Sequence, residues 1–256
     1  TRCIGCGACS SACKEQNKLP PKVEEVLTAY TWTTVQEREG LNVRRLCMHC
    51  EVPTCASVCP VAALKKTPEG PVVYDGERCM GCRYCMMACP YEVPKYQWDR
   101  PVPVIGKCIM CTDRVKAGQP TACAAACPAE ATIFGKKEDL IWEARTRIRQ
   151  KPGAYVDHIY GLEETGGTSV LMISNLPFEK LGMKTNLPSD PPAQRTWQVL
   201  SNIPNFVGVW GACASGTSSS SRSEGANPVR LLRMNPISLS RFPKVFPNIV
   251  SSLRRR

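Results

Sequence analysis

Sixteen of the seventeen cysteines lie between Cys3 and Cys127, in four groups of four. The groups are Cys3, Cys6, Cys9, Cys13; Cys47, Cys50, Cys55, Cys59; Cys79, Cys82, Cys85, Cys89; and Cys108, Cys111, Cys123, Cys127. The first and third read C-x2-C-x2-C-x3-C; the second and fourth keep the opening C-x2-C and the closing C-x3-C around middles of four and eleven residues. Pro60, Pro90 and Pro128 follow the last cysteine of groups two, three and four, whereas Lys14 follows that of group one. A chain with this pattern must fold so that short loops bring thiols together in sets.

This is the spacing by which bacterial ferredoxins ligate [4Fe–4S] clusters. Two-residue gaps wrap the backbone around a cubane so that three thiolates reach it, and the fourth cysteine faces away toward another cluster. Proline after that cysteine stops the chain from continuing as one helix. Sixteen thiolates at four per cluster give four [4Fe–4S] clusters. Structural zinc needs only C-x2-C pairs and gives no reason for the third cysteine or the Cys-Pro closure. Disulfides are disfavoured because cysteines three apart rarely bridge.

The pairing of groups is partly argued from the intervening sequence. Pro60–Leu64, the turn Lys65–Gly70 and Pro71–Tyr74 read as strand, turn, strand leading into group three. Groups two and three thus form one ferredoxin unit. Pro128–Gly135 repeats the Cys-Pro-x-x-Ala entry into a strand, with no cysteine group after it, so group four partners group one. The two prolines of Pro90–Tyr96 make that stretch a connector. With crossover ligation the expected sites are Cys3, Cys6, Cys9 with Cys127; Cys108, Cys111, Cys123 with Cys13; Cys47, Cys50, Cys55 with Cys89; and Cys79, Cys82, Cys85 with Cys59. Sequential pairing of groups is the alternative. The fold expected is α+β: two nested bacterial-ferredoxin-like units with short hairpins and helices in residues 1–135, an irregular extension over 136–211 and a low-complexity tail over 212–256.

Several stretches resemble a known family. Cys3–Lys14 with Asn17 and Leu19-Pro20, Cys47-Met-His-Cys50, Gly81–Met86, Cys89-Pro90-Tyr91, and Lys107-Cys108 with Cys111 resemble the four-cluster electron-transfer subunits of the dimethyl sulfoxide reductase superfamily. Tyr160-Gly161, Gly166–Leu171 and Pro177-Phe178-Glu179 with Leu181 narrow the likeness to the HybA-type subunit of periplasmic [NiFe] hydrogenases. The resemblance covers about Thr1 to Gly211. It implies the nested pairing, export by a twin-arginine signal to the periplasm, a catalytic partner, and an integral membrane partner that handles quinone. No signal segment precedes Cys3, so Thr1 reads as a processed or truncated terminus.

Function follows from saturated coordination: every iron has a thiolate, which argues against chemistry on a substrate at iron. No Walker motif, Gly-rich nucleotide loop or G-x-S-x-G elbow is present. The reading is an electron wire with no catalytic residue of its own, between a hydrogenase-type catalytic subunit, or a molybdopterin oxidoreductase in its place, and a membrane acceptor. A free ferredoxin and a zinc-stabilised module are the alternatives. His49 is read as packing or backbone-bonding beside a cluster, with tuning by protonation as the sharper option, and His158 as a surface residue without a constellation. Lys14, Lys65, Lys66, Lys95 and Lys107 read as a solvated face, Tyr91, Tyr96 and Trp98 as covers over a cluster. Thr28–Gln36 and Leu41–Leu46 around Glu39-Gly40 form an expected hairpin, and Lys137–Arg149 an amphipathic helix with Leu140, Ile141, Ala144 and Ile148 inward.

The formal charge of +11 at first suggests nucleic acid. It divides unevenly: residues 1–211 carry 25 Lys+Arg against 21 Asp+Glu, and the tail carries 8 against 1. Four clusters of about −2 each leave the core mildly acidic, so no nucleic-acid partner is expected. Asn205–Gly211 reads as the first turns of a membrane anchor, broken at the composition change. The Ser- and Arg-rich tail that follows, with Cys213, reads as disordered and as the product of a shifted reading frame.

Overall fold

The computed structural model describes residues 2–101 and 104–216. Its first level of order lies in the cysteine loops. The residue before the second cysteine of each group is left-handed: Gly5 (φ 73°), His49 (φ 51°), Gly81 (φ 74°) and Met110 (φ 54°). Glycine takes this conformation freely, whereas His49 and Met110 each bear a cost of roughly 1 kcal/mol. Short helices follow: α1 (Ala8–Gln16), α2 (Thr54–Ser57), α3 (Tyr84–Ala88), α4 (Thr112–Lys116) and α5 (Ala122–Ala125). The Cys-Pro steps end α2, α3 and α5 after four or five residues, because the residue before proline is pushed out of helical conformation. With Lys14 in place of proline, α1 runs on to nine residues. Where proline is present the chain turns instead: Ala62, Glu92 and Glu130 are left-handed, and each donates its N–H to the carbonyl of its group's last cysteine at 3.1–3.2 Å.

Among the described residues three antiparallel hairpins connect the loops. β1 (Thr34–Arg38) pairs with β2 (Leu41–Arg45) through a two-residue turn at Glu39 (φ 51°) and Gly40 (φ 70°), the positive-φ pair such hairpins favour. β3 (Leu64–Lys66) pairs with β4 (Val72–Tyr74) as expected, though the strand begins only at Leu64. β5 (Lys95–Tyr96) and β6 (Ile105–Gly106) form a hairpin where a connector was expected. Pro94 stands just outside β5, so its missing N–H removes no ladder bond. Conversely, Pro128–Gly135 is not a strand. There the N–H groups of Thr132, Ala131 and Ala129 turn toward the Cys127 sulfur and, against burial, hold its thiol below the ordinary value.

The extension opens with α6 (Lys137–Gln150), close to the expected bounds. Leu140, Ile141, Ala144 and Ile148 are half-buried rather than inward, and Trp142 is exposed. The chain then returns to group two: Glu51 N–H bonds Gly167 O (3.0 Å), Ser169 N–H bonds His49 O (3.1 Å), and Val170 N–H bonds Met48 O (3.2 Å). Val43, Met48, Tyr160, Phe178, Leu181 and Met183 form one apolar core; Leu64, Val72, Cys85 and Ile105 form a second. Residues to Phe206 make one compact unit, and those from Val207 a second. The last helix, α7 (Pro192–Gly216), contains Pro204 and continues past the composition change at Ala212, where the tail was expected to break order. Nothing in Ala212–Ser215 opposes a helix. Among the described residues no helix is long and apolar enough to cross a membrane. The remainder of the tail, residues 217–256, lies outside the described residues.

The tightest approach in this fold is at β6. A Cβ on Gly106 would stand 2.0 Å from the Ala29 carbonyl oxygen, a backbone atom that cannot rotate away. Gly106→Ala should destabilise the protein by about 3 kcal/mol in urea unfolding. Gly135→Ala, whose nearest neighbour would be Leu140 Cδ2 at 3.6 Å, should stay within about 0.5 kcal/mol.

Candidate functional site

The cysteine-bearing helices pack in two pairs, α1 on α5 and α2 on α3. The first pair brings groups one and four together. A cavity of about 520 Å³ is lined by all eight of their cysteines. Burial pushes the Cys13 thiol up to about 12, with the Cys123 and Cys111 sulfurs adding to the rise. Burial likewise raises Cys9 against the pull of Arg44, and Cys108, which also feels Cys13 and Cys47. The Arg44 guanidinium donates to Cys123 Sγ at 2.9 Å, Thr132 Oγ1 at 3.1 Å and Thr33 Oγ1 at 3.0 Å. Sequence reading gave Arg44 only a place in a hairpin; its position three residues before Cys47 was the available signal.

The second pair brings groups two and three together. Burial pushes Cys50 up to about 12, with Cys47 and Cys89 as further causes, and raises Cys55 with the same neighbours. A narrow second cavity is lined by Cys59, Cys79, Cys82 and Cys85. Cys85 is pushed up to about 11 by burial and by Cys79, Cys59 and Cys82. Backbone donors face the sulfurs at the Cys-Pro turns: Ala63 N–H lies 3.2 Å from Cys59 Sγ, and the N–H groups of Val93, Tyr91 and Glu92 temper the rise that burial imposes on Cys89. Met110 N–H approaches Cys108 Sγ at 3.3 Å.

These thiols fit a multi-iron cage. Buried thiols with raised pKa ionise only where metal charge replaces their protons. They stand around cavities: among the described residues no three His, Cys, Asp or Glu side chains converge closely enough to hold a single ion. His49 adds a buried donor. It is fully buried, and its Nδ1 accepts the Val72 N–H at 2.8 Å. The proton is therefore on Nε2, which has no partner among the described residues. Burial, then Lys107 and Lys66, hold this imidazole neutral.

Other sequence expectations need correction. Lys14 and Lys107 are buried at 3 % and 2 % exposure, not part of a solvated face, because their ammonium groups find backbone carbonyls inside the fold. Lys14 Nζ donates to Tyr30 O at 2.9 Å. Lys66 is half-buried and donates to His49 O (3.1 Å) and Ser169 Oγ (2.9 Å); Lys65 is exposed and Lys95 half-buried. His158 has a constellation after all, since the turn at Glu164–Gly166 returns Glu164 Oε1 to within 2.7 Å of its Nε2. Trp98 is 68 % exposed and stacks edge-on with half-buried Tyr96, with Arg83 above both rings. Tyr91 packs on Tyr160 and touches Thr165 Oγ1 at 3.3 Å, and that hydroxyl reaches Cys50 Sγ at 3.9 Å.

Comparison with known proteins places this geometry. A 4Fe-4S dicluster domain model matches residues 39–137. A protein of Nitratidesulfovibrio vulgaris is 42 % identical over 234 residues, which cover 84 % of this chain and 63 % of that protein, so the chain spans just under two thirds of its length. The hydrogenase-2 operon protein HybA of Escherichia coli O157:H7 is 37 % identical over 230 residues, covering 72 % of this chain and 70 % of HybA. The iron–sulfur subunit of the nitrate-inducible formate dehydrogenase of Escherichia coli K12 is 32 % identical over 209 residues, covering 74 % of this chain and 70 % of that subunit.

One ion-pair network ties the extension to the group-two loop. Glu51 meets Lys137 at 2.7 Å and Lys66 at 3.3 Å. Burial opposes its ionisation, but the Lys137 and Lys66 contacts prevail and hold the carboxyl below its usual value. A depressed carboxyl stabilises the fold above the unfolded-state pKa and loses that contribution as pH falls through the folded one. Glu51→Gln should cost about 1 kcal/mol at pH 7, since the pairs are part-exposed. The difference from wild type should close in unfolding curves taken as pH falls below about 4.

Proposed function

The chain belongs to the iron–sulfur subunit family that includes HybA and the formate dehydrogenase iron–sulfur subunits, and from that premise we propose that it carries four [4Fe–4S] clusters as an electron wire. The proposed ligand sets are Cys3, Cys6, Cys9 and Cys127; Cys108, Cys111, Cys123 and Cys13; Cys47, Cys50, Cys55 and Cys89; and Cys79, Cys82, Cys85 and Cys59. The observation that carries this reading is the gathering of the cysteines around two cavities, one lined by groups one and four and one by Cys59 with Cys79, Cys82 and Cys85. Cys13 feels Cys123 and Cys111, Cys50 feels Cys47 and Cys89, and Cys85 feels Cys79, Cys59 and Cys82. The packing of α1 on α5 and α2 on α3 supports the nested arrangement over the sequential one.

Each cluster, when bound, accepts and returns one electron. The chain's own residues do the rest. Backbone N–H groups and Arg44 donate to sulfur, which favours the more negative reduced state. Cys47 is among the groups that raise Cys108, which links the two pairs in the middle. Of the sixteen cysteines only Cys6 and Cys82 are exposed, and they belong to the proposed end sites. Ile4 lies beside Cys6, and Met80, Tyr84, Met87 and Trp98 lie near Cys82; all are more than half exposed. Such apolar surface suits contact with partner proteins.

The partners proposed are a [NiFe] hydrogenase catalytic subunit and an integral membrane quinone-reactive subunit, at the periplasmic face of the membrane. The similarity to formate dehydrogenase subunits favours a molybdopterin enzyme as the second reading of the catalytic partner. The purified chain should contain about sixteen irons and as many acid-labile sulfides, four of each per cluster. On reduction it should give EPR spectra of magnetically interacting [4Fe–4S]⁺ centres. A colourless, zinc-replete protein would overturn the proposal.

A further inference from the structure

Lys107 stands apart from the other cations of the core. It is 2 % exposed, and its ammonium donates to the carbonyls of Val72 and Cys108, the latter at 3.0 Å. Among the described residues it has no carboxylate partner. Lys66, by contrast, is neutralised by Glu51 at 3.3 Å, and Arg44 is held by Cys123 Sγ at 2.9 Å. A buried ammonium without a counter-charge is expensive, and two carbonyl dipoles do not replace an anion.

The anions available are sulfurs. Lys107 immediately precedes Cys108 of the second proposed site. It also acts on Cys55 of the third proposed site and on His49, which sits between Cys47 and Cys50. Val72 fixes this arrangement from both of its backbone ends: its N–H donates to His49 Nδ1 at 2.8 Å and its carbonyl receives Lys107. Cys47 is itself close enough to act on Cys108. The ammonium is thus inserted where the groups one–four pair meets the groups two–three pair.

We propose that Lys107 is the shared counter-ion of the two inner clusters and sets their reduction potentials together, a role that rests on the four-cluster reading above. Each oxidised cubane with its four thiolates carries about −2 and gains a further electron on reduction. A fixed positive charge in a low-dielectric site favours the reduced form of both neighbours. It also offsets the repulsion between two reduced clusters, so that one does not block the other. Among the described residues its hydrogen bonds go to Val72 O and Cys108 O, and to no cysteine of the outer sites at Cys6 and Cys82. Lys107 is a positioning residue for charge and supplies no ligand.

The test compares wild type, Lys107→Gln and Lys107→Arg as full chains, by iron content and by EPR-monitored redox titration. Glutamine keeps a hydrogen-bond donor and removes the charge; arginine keeps both. In Lys107→Gln with wild-type iron, two of the four midpoint potentials should fall. The reduced-to-oxidised ratio of those two clusters at fixed potential should drop at least tenfold, which is 59 mV for a one-electron couple. The other two should not move, and Lys107→Arg should stay near wild type. Loss of iron in the glutamine variant but not in the arginine variant also supports a counter-ion. Unmoved potentials at full iron, an equal shift of all four, or loss of iron in both variants overturns the proposal. A wild-type chain with fewer than about sixteen irons defeats the four-cluster reading itself before any variant is compared.

Discussion

The structure depends on the desolvation of thiols. Groups of cysteines from distant parts of the chain are brought under cover, and burial pushes Cys9, Cys13, Cys50, Cys55, Cys85, Cys89, Cys108 and Cys111 above their ordinary values. Thiols so placed contribute little beyond packing until metal charge replaces their protons. Much of the remaining architecture answers that condition. Backbone N–H groups fold back onto sulfur after Cys59, Cys89 and Cys127, and Arg44 and Lys107 put positive charge inside.

The Cys-Pro turns show how one short motif solves several problems at once. Proline ends the helix, the third residue after cysteine takes a left-handed conformation, and the next N–H, of Ala63 or Val93, meets the cysteine sulfur. After Cys127, too, backbone N–H groups of Thr132, Ala131 and Ala129 help hold the thiol below its ordinary value. Group one lacks the proline, and its helix α1 continues to Gln16.

Spacing was the legible part of the sequence because cluster loops are local: two-residue gaps, Cys-Pro closure and the Glu39-Gly40 turn depend on neighbours in the chain. The hairpin β1–β2 and the helix α6 were readable for the same reason. Lys14 and Lys107 were not, since a lysine's burial depends on carbonyls contributed by Tyr30 and Val72. Nor was the His158–Glu164 pair, which needs the turn at Thr165. The β5–β6 hairpin was missed because Pro94 looked like a breaker, whereas its place one residue ahead of the strand made it harmless. The left-handed His49 and Met110 were hidden too, since only glycine announces that conformation in sequence.

The antiparallel run of residues 167–170 along 48–51 joins parts of the chain that are synthesised far apart in time. Ser169 reaches Glu51 across 118 residues. While the chain grows from the ribosome, the group-two loop emerges early, and the stretch that receives the Glu51 N–H and donates to the His49 and Met48 carbonyls emerges late. Through that interval these polar groups face water, and the loop closes only after a long, entropically costly search. The topology therefore imposes an order on the birth of the molecule: the shielding of Cys47 and Cys50 is among the last steps, and it waits on residues that bear no cysteine at all.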